Sequence, residues 1–212
     1  MGYIEVKITK EMNDFAERKF KRIKIDTSKK LNRFGSEGKR IFEGYLGEAM
    51  VCGHFHMEDV DNYEYDSMLN NNKIEIKTIS GKFRPPSHYL ATVNSCLENE
   101  QRKQNSDYYV FTRILNDYSL GWIVGFIECD EFFRIGNFVK KGETYEGMLF
   151  EKADATCARI NELNEISGMN YIINGSECEI CGNNNPKNIK FISACAKCES
   201  VYSVENSFEV YK

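Results

Sequence analysis

Tyr63-Glu-Tyr-Asp-Ser-Met-Leu-Asn-Asn-Asn-Lys-Ile-Glu-Ile-Lys-Thr78 is the stretch whose reading decides the fold. Tyr63–Leu69 and Lys73–Ile79 are rich in β-favouring residues, and Asn70–Asn72 tolerate positive φ, so the stretch reads as a hairpin. Alternation along the second strand puts Ile74 and Ile76 on one face and Glu75 and Lys77 on the other. An even loop with Asn71 and Asn72 at its tip sets Asp66 opposite Lys77, so Asp66, Glu75 and Lys77 share a face. An odd loop would turn Asp66 away, because a one-residue slip exchanges the faces. Two carboxylates and a lysine on one face can hold a hard cation and stabilise charge on a phosphate.

Upstream, a helix is expected over residues 39–55. Its apolar arc is Ile41, Phe42, Tyr45, Leu46, Ala49 and Cys52. Glu48 falls at the rim of that arc and Glu43 on the far side, where it should be solvated. A rim glutamate either serves a site or pairs with a surface lysine. His54 and His56 end this helix and are read as groups facing its free carbonyls. An earlier helix, capped by Thr9 and running to about Lys24, carries the stripe Met12, Phe15, Ala16, Phe20 and Ile23. Residues 1–40 hold an excess of Lys and Arg, among them Arg18, Lys19, Arg22 and Lys24. Such an arm either tracks phosphates or is a solvated helix face.

Downstream, Ser80–His88 is a Gly/Pro loop leaving the hairpin, which makes Lys82 and Arg84 candidates for phosphate contacts. Tyr89–Gln104 has weak helical periodicity. Asp107–Leu115 and Leu120–Cys129 are nearly continuous apolar runs, as in strands covered on both faces. A short helix is expected over 128–133 and a closing helix over 153–166, striped by Cys157, Ile160, Leu163 and Ile166.

The hairpin resembles the PD-(D/E)XK, or restriction-endonuclease-like, nuclease superfamily, with Asp66, an eight-residue gap and Glu75-Ile76-Lys77. Gly44-Tyr-Leu-Gly47-Glu48 is similar to the Gly-x-x-Gly-Glu helix that precedes the hairpin in many of these nucleases. The proline that often precedes the Asp is replaced by Tyr65. The resemblance covers roughly residues 40–130 and implies an α/β fold, a mixed central sheet flanked by helices in an αβββαβ core. It implies Mg²⁺ or Mn²⁺ held by Glu48, Asp66 and Glu75. Lys77 would orient water, assist its deprotonation or stabilise the phosphate. Gln101 and Gln104 would supply the polar glutamine some relatives carry. DNA is the expected substrate, and a homodimer is admissible.

Cys178-Glu-Ile-Cys181 and Cys195-Ala-Lys-Cys198 are two Cys-x-x-Cys pairs thirteen residues apart. Four thiolates in two tight turns suit one structural Zn²⁺, a small zinc ribbon; reduced thiols or a redox pair are the alternative. Cys52, Cys96, Cys129 and Cys157 lie in apolar patterns and are read as core.

A chain of 212 residues, 42% apolar, with eight Cys and a net charge of −4, is expected to fold as an N-terminal basic helical region (1–38), a nuclease-like core (39–166) and a linker with the ribbon (167–212). No apolar run approaches a membrane span, so a cytoplasmic protein without a membrane partner is expected. An Asn-, Lys- and Ile-rich composition suits an A·T-rich genome, such as a phage's. The rival reading is a non-catalytic nucleic-acid-binding or assembly protein, in which ribbon and basic arm bind and the α/β domain is a scaffold.

Overall fold

The computed structural model describes residues 2–26, 34–60, 64–94 and 105–169, and the strands within 186–189, 192–195 and 201–202. The chain divides into two compact units, Met1–Ile166 and Ser167–Lys212. The first is mixed α/β.

β6 (Tyr108–Leu115) and β7 (Leu120–Glu128) form its centre. Both are buried along nearly their whole length, which is why their sequences show no polar alternation. They pair antiparallel, with an irregularity at Phe111/Thr112. β1 (Ile4–Lys7) flanks β7 antiparallel. On the other side β4 (Asn72–Gly81) runs parallel to β6. β3 (Ser67–Leu69) and β2 (Glu58–Asp59) complete a six-stranded mixed sheet ordered β1-β7-β6-β4-β3-β2.

One face of this sheet carries α1 (Lys10–Asp26) and α2 (Phe34–Phe55), which bury Ala16, Leu46 and Met50 against Ile114. On the other face, Tyr109, Phe111, Trp122 and Val124 pack with α3 (Cys129–Ile135) and with residues of a second sheet. That sheet is β5 (Leu90–Asn94), β11 (Ala155–Arg159) and β8 (Asn137–Val139), in the order β5-β11-β8. β9 (Thr144–Tyr145) and β10 (Met148–Leu149) form a separate small hairpin.

Thr9 caps α1, with its hydroxyl accepting the Met12 N–H at 3.3 Å. Other expectations are corrected. α2 begins at Phe34, so Gly35–Gly38 lies within a helix and a boundary at 38/39 would cut it. The N-terminal segment is part of the domain, since β1 extends the sheet and Phe20 packs edge-on to Phe42. Residues 90–94 are a strand, not helix. Residues 155–159 are also a strand, followed by a 3-10 turn at Ile160–Glu162. Ala-Thr-Cys-Ala lies flat between β5 and β8, and cross-strand pairing on both sides outweighs a helical stripe that a strand followed by a tight turn also satisfies.

The second unit contains a three-stranded antiparallel sheet of β12 (Pro186–Ile189), β13 (Ile192–Cys195) and β14 (Val201–Tyr202).

Candidate active site

The β3–β4 hairpin turns on two residues, Asn70 (φ 47°) and Asn71 (φ 65°), both in the left-handed region that asparagine tolerates. Leu69 pairs with Asn72 and Ser67 with Ile74. The tip is therefore one residue earlier than expected, and continuing the register sets Asp66 beside Glu75, not Lys77. The loop is still even, so Asp66, Glu75 and Lys77 keep a common side.

β3 ends at Ser67, and there Asp66 replaces the strand. Its backbone N–H donates to the Ile74 carbonyl at 2.9 Å, and its carboxylate accepts the Ile76 N–H at 2.7 Å. Backbone N–H groups of a strand lie in the plane of the sheet, so the Asp66 carboxylate sits at the sheet's edge. Glu75 and Lys77 project from one face. Lys77 Nζ is 2.6 Å from Glu75 Oε1 and 5.9 Å from the Tyr109 ring centroid.

Glu48 arrives from the other face. α2 crosses β4 and β6 so closely at Gly47 that a Cβ there would lie 1.9 Å from the Thr78 hydroxyl and 2.8 Å from that of Thr112. Only glycine permits this approach, and it sets Glu48 against the sheet. Glu48 Oε2 lies 2.8 Å from Lys19 Nζ, which also reaches Asp59 Oδ1 at 2.6 Å. Lys19 lies near the Phe15 and Tyr45 rings, at 5.4 and 5.2 Å from their centroids. Burial works against its charge, but the bonds to Asp59 and Glu48 outweigh it and raise the pKa.

The acids act on one another around the sheet edge. Burial, then the charges of Glu48 and Glu75, push the Asp66 carboxyl up to about 8; the Ile76 N–H and Lys77 oppose the rise. Burial also raises Glu48, assisted by the Asp59 and Glu75 charges and opposed by Lys19. Asp66 is thus largely protonated at neutral pH while the other acids are held by cations. Among the described residues no three His, Cys, Asp or Glu side chains are drawn together as a ready metal-ligand set. The donors nonetheless fit Mg²⁺ or Mn²⁺ in chemistry, being hard carboxylate oxygens under mutual repulsion. Holding a cation would require Glu75 to exchange Lys77, and Glu48 to exchange Lys19, for the metal.

The remaining expected residues lie elsewhere. Lys82 and Arg84 are exposed beyond the far end of β4, and Lys82 is five residues, roughly 17 Å, along the chain from Lys77. Arg84 stacks 5.3 Å from the centre of the Tyr3 ring. Gln101, Gln104 and the side chains of Cys178, Cys181, Cys195 and Cys198 lie outside the described residues, as does Cys96. Cys52, Cys129 and Cys157 are buried and free. Of the basic arm, Arg18, Lys21 and Arg22 are exposed, but Lys19 is turned inward. Glu43 is not solvated. It is 5% exposed, 3.5 Å from Lys39 Nζ, and accepts the Tyr118 hydroxyl at 3.4 Å. The β6–β7 turn folds Tyr118 over that side of α2, and every residue from Leu46 to Cys52 is buried, so a one-sided arc misjudges this helix. Lys19 and Asp59 are the site residues that sequence reasoning missed. Lys19 did leave a signal: it follows Phe15 by four and Ala16 by three, inside the apolar stripe. Asp59 left none.

Compared with models of known protein families and with curated proteins, the chain matches none.

Proposed function

We propose that this chain is a metal-dependent nuclease that hydrolyses phosphodiester bonds, in DNA, with Glu48, Asp66 and Glu75 holding Mg²⁺ and Lys77 assisting. The observation that carries the reading is the Asp66 carboxylate at the sheet edge, coupled to Glu48 from one face and to Glu75-x-Lys77 on the other. The strand order supports it. β2, β3 and β4 form an antiparallel meander after α2, in keeping with the α and the three following strands of the αβββαβ core, and β6 lies parallel beside β4.

Mg²⁺, when bound, would neutralise phosphate charge and lower the pKa of water at the site. The chain's own residues do the rest. To hold the cation Asp66 would have to release its proton to water, so binding should weaken as pH falls below about 8. Lys77, released from Glu75, is left to orient water, assist its deprotonation or stabilise charge on the phosphate. Lys19 restrains Glu48 and Asp59 and opposes the burial that raises the Glu48 pKa.

The test is incubation with linear, circular and single-stranded DNA in Mg²⁺ or EDTA. Cleavage should require Mg²⁺ and vanish in Lys77→Met, which should retain fold and metal binding because an ammonium is not a ligand. Wild-type protein that cleaves no substrate, or a Lys77 variant as active as wild type, refutes the reading.

One observation favours a second reading, a nucleic-acid-binding or assembly protein on a nuclease-like scaffold. The acids at rest are paired with Lys19 and Lys77. Calorimetry separates the two, since a scaffold binds DNA but takes up no divalent cation at these carboxylates. In either case we assign Cys178, Cys181, Cys195 and Cys198 to one structural Zn²⁺, supported by their spacing and by the antiparallel strands around Cys195.

A further inference from the structure

A cavity of about 240 Å³ opens at the carboxyl ends of the parallel pair β4–β6, away from the acid cluster. Ligands commonly bind at such strand ends in α/β sheets. Its walls combine the cations Lys82 and Arg113 with the apolar Phe83, Pro85, Tyr89 and Ile114, and include no carboxylate.

Arg113 is the unusual member. It is 9% exposed, and its guanidinium donates to the Leu90 carbonyl. Among the described residues no carboxylate pairs with it. A buried arginine without an anion is costly, because its remaining donors and its charge have lost water. Burial lowers its pKa to about 10, opposed by the nearby Tyr3 and Tyr89 side chains. Near Arg113, though not on the pocket wall, the Tyr3 hydroxyl is buried with no hydrogen-bond partner among the described residues and feels both Arg84 and Arg113. A largely apolar pocket with two aromatic rings and two cations on its wall is complementary to an anion carried on a ring.

We infer that this pocket is a binding site for a small aromatic anion, its carboxylate or phosphate group held by Arg113 and Lys82 and its ring lying among Phe83, Pro85 and Tyr89. The volume suits a single ring with its anionic group, not a larger ligand. Phe83, 59% exposed and edge-on to Tyr89 at 6.3 Å, is the solvent-facing wall of the pocket. The inference is independent of the nuclease reading, because none of these residues contributes to the acid cluster.

The experiment titrates the full chain with phenyl phosphate, benzoate, inorganic phosphate and the neutral benzyl alcohol, read by calorimetry and by NMR shifts. Phenyl phosphate or benzoate should saturate at about millimolar concentration or below, and the tighter of the two identifies the anionic group. Inorganic phosphate should bind more weakly, for want of a ring. Lys82→Glu, at an exposed position, should keep the fold and weaken binding about tenfold or more. Arg113→Met should abolish it; if that variant does not fold, Lys82→Glu decides. Asp66→Asn should leave binding unchanged, which separates this site from the acid cluster. No saturable binding of either aromatic anion, equal binding of benzyl alcohol, or unchanged affinity in Lys82→Glu overturns the inference.

Discussion

Replacing Asp66 by asparagine removes one titrating proton and little else. The amide oxygen can still accept the Ile76 N–H that the carboxylate accepts at 2.7 Å. The folded protein holds the Asp66 proton up to about pH 8, whereas the ordinary carboxyl releases it near 3.8. A group that binds its proton more tightly when folded makes stability fall as pH rises, here from about 3.8 to about 8. At neutral pH about three units of that window have been crossed, at about 1.4 kcal/mol each, so ionisable Asp66 costs at most about 4 kcal/mol. The carboxyl keeps some contact with water, which brings the expected effect nearer 2 kcal/mol. Asp66→Asn should therefore be more stable than wild type in urea at pH 7.5 with EDTA, by about 2 kcal/mol. The two should converge below about pH 3.8, where Asp66 is protonated in the folded and unfolded chains alike. The difference between the proteins isolates Asp66 from Glu48, whose raised pKa adds to the slope in both. Mg²⁺ should stabilise wild type at pH 8 by mass action and leave Asp66→Asn nearly unaffected. A stability difference that does not change with pH, or an Asp66→Asn protein that is the less stable at pH 7.5, refutes the claim that burial and the neighbouring acids hold this proton.

Four further outcomes are expected. Lys19→Met should destabilise the domain by about 3–5 kcal/mol in urea unfolding, because it strands Glu48 and Asp59 without their cation, and divalent cations should recover part of the loss. Charge reversal at the exposed Arg18 and Arg22 should flatten the salt dependence of DNA binding without that loss of stability. Gly47→Ala should lower stability by about 2 kcal/mol or more, since its Cβ would lie 1.9 Å from the Thr78 hydroxyl, and Thr78→Ala should restore part of it in the double variant. Elemental analysis of protein purified without added metal should give about one zinc per chain; four thiols open to alkylation in the native protein would refute the zinc assignment.

Several features were legible in the chain because they depend on neighbours in sequence. The two asparagines at positive φ close the hairpin, and strand alternation then fixes the side on which Glu75 and Lys77 stand. Tip position was misread by one residue, since Asn70, Asn71 and Asn72 all tolerate the turn; parity survived because both readings contain an even loop. The apolar runs of β6 and β7 announced strands covered on both faces. Periodicity failed where an element is enclosed all round. α2 buries Glu43 and Glu48 alike, on opposite sides, so the width of its apolar arc carried no information about which glutamate meets water. It failed again at 155–159, where pairing with β5 and β8 chose strand over helix.

The sequence by itself determined the local devices: the Thr9 cap, the asparagine turn, the common side of Glu75 and Lys77, and the glycine at position 47. Tertiary structure decided what each charge meets. Lys19 leaves the basic arm to enter the acid cluster, twenty-nine residues from Glu48 and forty from Asp59. Arg113 is buried against Leu90, with no anion beside it among the described residues. The physical reason is range. Capping, turning and strand phase are set within a few residues by backbone sterics, whereas burial and Coulomb coupling depend on groups that only the closed chain brings together.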